Sequence, residues 1–107
     1  MHIPQDALIA RAKLTQYLLV FKEADDKSGF LQQAGFTLEN ADDLEYALRE
    51  HIRLNEAVFD RENEFGKFYE VAGQLIGPND RWLDVVTIWL LDNKSQFRFI
   101  TLKPRRD

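Results

Sequence analysis

Asp60-Arg61-Glu62-Asn63-Glu64, followed by Phe65-Gly66-Lys67-Phe68-Tyr69-Glu70-Val71-Ala72-Gly73-Gln74-Leu75, is the stretch on which the hydrophobic period changes. Up to about Phe59 apolar residues recur at helical spacing; from Phe65 onward they alternate as strand residues do. Asp60 to Glu64 has neither period and reads as a hydrophilic linker joining a helix to a sheet. The switch predicts an α+β domain, three N-terminal helices followed by a three-stranded antiparallel meander, with the helices packed on one face of the sheet.

Working toward the N-terminus, Leu44, Ala47, Leu48, His51, Ile52, Leu54 and Val58 give a broad apolar face to a helix capped by Asn40 and running to about Val58. Asp42 and Asp43 in its first turn suit the positive helix end. A short helix before it starts at Asp25 or Asp26, buries Phe30, Leu31 and Ala34, and stops at Gly35. The first helix starts near Asp6 and carries Ala10, Leu14, Tyr17, Leu18 and Phe21 on one stripe. Toward the C-terminus, Lys67, Tyr69, Val71, Gly73 and Leu75 share one face of the first strand. Gly77-Pro78-Asn79-Asp80 is a turn, Trp82 to Leu91 is apolar on both faces and therefore central, and Phe97 to Leu102 is the last strand.

At 107 residues the chain is expected to form one domain, residues 1–107, with a helical half of about 6–58 and a sheet half of about 65–104. Residues 1–64 hold 7 basic and 13 acidic side chains, and residues 65–107 hold 7 basic and 5 acidic, so an acidic helical layer meets a mildly basic sheet. The total of −4 argues against promiscuous nucleic-acid binding, although a local basic face can still meet a phosphate. The chain has no cysteine, which excludes disulfides, a thiolate nucleophile and cysteine-based metal sites. With neither a signal peptide nor an apolar run long enough to cross a bilayer, the expectation is a cytoplasmic protein without membrane contact.

No carboxylates gather with histidine at a metal-ligand spacing, no glycine-rich loop precedes a helix, and no serine sits in a nucleophile elbow. The expectation is therefore no metal and no cofactor. His2 lies in the terminal segment, and His51 falls on an inner helix stripe, where a histidine is ordinarily packed. The residues left to carry chemistry are polar strand residues and basic side chains. Lys27, Lys67, Thr87 and Arg98 are the catalytic candidates; Lys13, Tyr69, Trp89 and Thr101 are the binding candidates. Trp82 and Trp89 point to opposite faces by parity, so one belongs to the core and the other is a stacking platform or interface anchor.

Lys13-Leu14-Thr15-Gln16-Tyr17-Leu18-Leu19-Val20, the run from Asp25 to Phe36, Gly77-Pro78-Asn79, Val86-Thr87-Ile88-Trp89 and Phe99-Ile100-Thr101-Leu102-Lys103-Pro104 together resemble a bacterial family common in cyanobacteria, domain of unknown function 6883. The resemblance extends from about Ile3 to Pro104. It carries no established activity, but some members occur as small stand-alone proteins beside another small gene and related modules end large secreted toxins, so the resemblance implies a toxin–antitoxin or conflict-system setting. More distantly, the helices-then-meander order resembles the ribonuclease superfamily that groups barnase, colicin nuclease and RelE-type toxins. That likeness implies metal-free RNA cleavage by lysine, arginine, histidine, threonine or tyrosine on and around the sheet. Lys13, Lys27, Lys67, Thr87 and Arg98 are the residues available for it; a strand histidine is absent.

The functional expectation is a protein-interaction or accessory domain in a two-gene module, binding a protein partner or itself through the sheet. The alternative is a metal-independent ribonuclease toxin with RNA as its substrate. Convergence of Lys67, Thr87 and Arg98 in a concave site would favour the second.

Overall fold

The structure, a computed structural model, describes residues 1–23 and 26–105. Its sheet has four antiparallel strands in sequential order: β1 (Ala57–Asn63), β2 (Gly66–Ile76), β3 (Trp82–Asp92) and β4 (Phe97–Pro104). The helical elements are α1 (Arg11–Lys13), which continues as a π-helical turn Leu14–Leu18, α2 (Ser28–Gln32), a 3-10 turn Leu38–Asn40, and α3 (Ala41–Leu54). The α+β class and the helices-then-meander order are as the sequence predicts. The strand count is not.

The supposed linker is β1. It pairs with β2 from Ala57↔Val71 to Asn63↔Gly66, with a bulge at Asp60. Of its seven residues only Ala57 is buried. An edge strand held by backbone hydrogen bonds needs no apolar alternation, which is why its sequence looks like a linker. For the same reason α3 ends at Leu54, short of Val58. Asn55 leaves the helix in an extended conformation, and its Nδ2 donates to the His51 carbonyl at 2.8 Å, satisfying a helix-end acceptor. At the other end, Asn40 makes no side-chain cap for α3; its Oδ1 accepts from Thr37 N–H and its Nδ2 donates to the Gly35 carbonyl, closing the preceding turn.

The first helix is also shorter than predicted. Residues 6–10 are not helical, because Leu8 is spent on the edge of β4: its N–H donates to the Phe97 carbonyl at 2.9 Å and its carbonyl accepts from Phe99 N–H at 2.8 Å. Ile3, Ala7 and Ile9 are buried beside it. Phe21, predicted to be on the apolar stripe, lies beyond the π turn and is 74% exposed. The second helix starts one residue later than predicted, with Lys27 at its N-cap position, while the Asp26 carboxylate just before it accepts from Ser28 and Gly29; the alternative cap, Asp25, lies outside the described residues. Gly35 has φ 90°, the left-handed stop that a side chain would resist.

Leu44, Leu48 and Ile52 of α3, Leu14 and Leu18 of the π turn, and Val71, Leu75, Val85 and Trp89 of the sheet form one core. The helices therefore cover the face that carries Val71, Thr87 and Trp89. Among the described residues no helix lies over the opposite face, with Val58, Ala72, Ile76, Trp82, Val86 and Ile88. As predicted, β3 lies between two strands, and the two tryptophans separate: Trp89 is fully buried and Trp82 is 61% exposed.

Candidate functional site

Tyr17 sits in the π-helical turn, an uncommon geometry that often accompanies function. Lys13, one turn earlier, lies on the same side, with its Nζ 5.8 Å from the Tyr17 ring centroid. The connector that follows returns two more cations to that ring. Lys22 Nζ lies 5.4 Å and Lys27 Nζ 5.7 Å from the centroid, so three ammonium groups surround one tyrosine within cation–π range. Tyr17 Oη reaches the sheet, 3.5 Å from Thr101 Oγ1 on β4.

Asp26 shapes the connector. Its Oδ1 accepts from the Ser28 hydroxyl at 2.7 Å, from Ser28 N–H and from Lys22 N–H, and its Oδ2 accepts from Gly29 N–H. The Ser28 hydroxyl is the main reason the Asp26 carboxyl titrates below the ordinary carboxylate range; partial desolvation opposes it, and the backbone N–H groups of Ser28, Lys22 and Gly29 reinforce it. Asp26 is thus spent on holding Lys22 and the start of α2 in place.

The eight predicted site residues divide. Lys13, Lys27 and Thr101 come together at Tyr17. Thr87 and Trp89 are buried with His51: Trp89 Nε1 donates to Thr87 Oγ1 at 2.8 Å, and His51 Nε2 lies 2.9 Å from the same oxygen and 3.2 Å from the Val71 carbonyl. Thr87 also donates to Val71 at 3.3 Å, so a proton on Nε2 satisfies every member of the network. His51 Nδ1 is then a buried acceptor without a hydrogen bond. Burial lowers the His51 pKa, against the pull of the Val71 and Gln74 backbone groups, and so favours the neutral ring.

Lys67 is exposed opposite Glu62 and Leu91, and Tyr69 packs between the rings of Phe59 and Phe97. Arg98 is ion-paired with Asp92 at 2.9 Å. Lys67, Thr87 and Arg98 therefore do not converge. Tyr17 and Lys22 are not among the predicted site residues: the apolar stripe of the first helix takes in the tyrosine, and the lysine lies just beyond that stripe. The available signal was the recurrence of lysine at 13, 22 and 27 around a residue with an apolar ring and a polar tip.

A cavity of about 370 Å³ opens between α3 and the end of β2, bordered by Tyr46, Glu50, His51, Leu54, Ile76 and Pro78. None of the predicted site residues borders it. Among the described residues there is no group of three or more His, Asp or Glu side chains that could hold a metal ion, and no helix is long and apolar enough to cross a membrane.

A family model described as "Domain of unknown function (DUF6883)" matches residues 4–106. The chain belongs to this family. No curated protein matches it. Among solved structures, this DUF6883 chain is similar to a chain of the contact-dependent growth inhibition toxin–immunity protein complex from Klebsiella pneumoniae 342, at a TM-score of 0.67 and 13% identity, over 95% of this chain and 96% of that one. At that identity the likeness is one of fold.

Proposed function

We propose that this DUF6883 domain is a metal-independent ribonuclease acting at Tyr17, as the toxin half of a toxin–antitoxin-like module. The single observation that carries this reading is the meeting of Lys13, Lys22 and Lys27 around the Tyr17 ring, with Thr101 at its hydroxyl. Ammonium groups gathered at one place on the surface are donors that a phosphate can accept from. In the reaction the ribose 2′-oxygen bonds to the neighbouring phosphorus as the bond to the 5′-oxygen breaks, leaving a 2′,3′-cyclic phosphate. The 2′-hydroxyl proton passes to water, and a lysine ammonium protonates the departing 5′-oxygen. The remaining lysines oppose the charge gathering on the phosphoryl oxygens.

Incubation with total RNA should yield fragments with cyclic phosphate ends. Lys27→Ala or Lys13→Ala should slow cleavage by roughly 100-fold, the usual loss for one stabilising donor, with an unchanged circular dichroism spectrum. Intact RNA after prolonged incubation with the folded wild type, together with harmless overexpression, would rule the reading out.

A second reading, a protein-interaction domain, is favoured by the uncovered sheet face, where Trp82 pairs directly with the exposed Ile76. The two are compatible, since a toxin in such a module needs a partner that restrains it. Trp82→Asp should abolish co-purification with the product of the neighbouring gene; a chain that stays monomeric and never co-purifies with that product excludes this role.

A further inference from the structure

We infer that Phe21 is a stacking surface for an unpaired nucleobase beside the lysine cluster, so that the substrate is single-stranded RNA; this rests on the ribonuclease reading. Phe21 is the most exposed large hydrophobic side chain among the described residues. It immediately precedes Lys22, whose Nζ belongs to the cluster, so the ring and the cation are set by adjacent backbone units. The segment is anchored on both sides. Leu19 N–H closes the π turn on the Leu14 carbonyl at 3.0 Å, and Lys22 N–H is held by Asp26 Oδ1 at 3.2 Å.

Other exposed rings lie elsewhere: Phe59 on β1, Phe65 in the turn after it, Trp82 at the start of β3 and Tyr46 on α3. None of them adjoins a lysine of the cluster. An exposed aromatic ring next to cations is the pairing that single-stranded nucleic acids need, because a base offers its face to the ring while its phosphate meets the charge. In a duplex both faces of each base are occupied by neighbours, and the ring has nothing to stack on.

The test is equilibrium filter binding of an eight-nucleotide 2′-O-methyl RNA, which cannot be cleaved, and of a hairpin in which the same eight nucleotides are paired. Phe21→Ala should weaken binding of the single strand roughly tenfold, leaving the hairpin and the salt dependence unchanged, whereas Lys27→Ala should reduce the salt slope. Phe21→Trp should restore the single-strand affinity. Unchanged affinity in Phe21→Ala, or no rescue by tryptophan, overturns the inference, including the case where that variant loses only a protein partner. The inference and the reading beneath it can fail separately. Binding that depends on Phe21 with unmodified RNA left whole keeps the stacking surface and removes the nuclease; cleavage at the wild-type rate by Phe21→Ala does the reverse.

Discussion

His51 shows how a residue type that suggests catalysis can serve the core instead. Its Nε2 closes a network with Thr87, Trp89 and Val71, and its other nitrogen makes no hydrogen bond, so protonation would place a charge in a buried, poorly solvated position. Because burial lowers the folded-state pKa below the unfolded value, the unfolded chain binds the proton first. Stability should therefore be full above about pH 6.5 and fall as the pH drops below that value. The urea midpoint of the wild type should decrease from pH 7.5 to pH 5.0, and His51→Gln should flatten that slope. An identical slope in the variant would assign the effect to other groups. At this scale the sequence was half legible. Lys13, Lys27 and Thr101 stand out as polar groups able to hold an anion, but Thr101 and Tyr17 are 84 positions apart, and no local pattern says that they meet. Thr87 and Trp89 looked equally available until their neighbours were known.

Among the elements, the legible ones are those whose burial writes a period into the sequence. α3 buries Leu44, Leu48 and Ile52, and on the helix-covered face of the sheet Val71, Leu75, Leu83, Val85, Thr87 and Trp89 fall at alternate positions of β2 and β3, so these elements followed from the residues alone. β1 buries a single side chain, and its hold on β2 is backbone hydrogen bonding, to which side-chain patterns are blind. The first helix is shorter than its predicted stripe of Ala10 to Phe21 because the segment before it pairs with the edge of β4 through Leu8 and the π turn ends at Leu18. The stop between α3 and β1 depends on Asn55. Asn55→Ala leaves the His51 carbonyl without its side-chain donor and should cost about 1 kcal/mol in urea unfolding, with no change in the denaturant slope. A neutral result would place the stop in the backbone of β1 instead.

For the molecule as a whole, the charge division seen in the sequence does not locate the lysine cluster. The lysines at Tyr17 all come from the acidic N-terminal half, and the mildly basic sheet contributes Thr101. What brings them together is a clasp around the N-terminal segment: Leu8 pairs with β4, while Arg49 of α3 donates to the carbonyls of Gln5 at 2.7 Å and Ala7 at 3.0 Å. The four strands, by contrast, each pair with their neighbour in sequence. Hairpins of that kind close short loops and form early, whereas joining the π turn to β4 closes a loop of most of the chain, at a greater entropic cost and a slower rate. Until β4 has been synthesised there is no Thr101 to set against Tyr17. The contact between the π turn and β4 is thus among the last to be made as the domain folds, after each hairpin has closed.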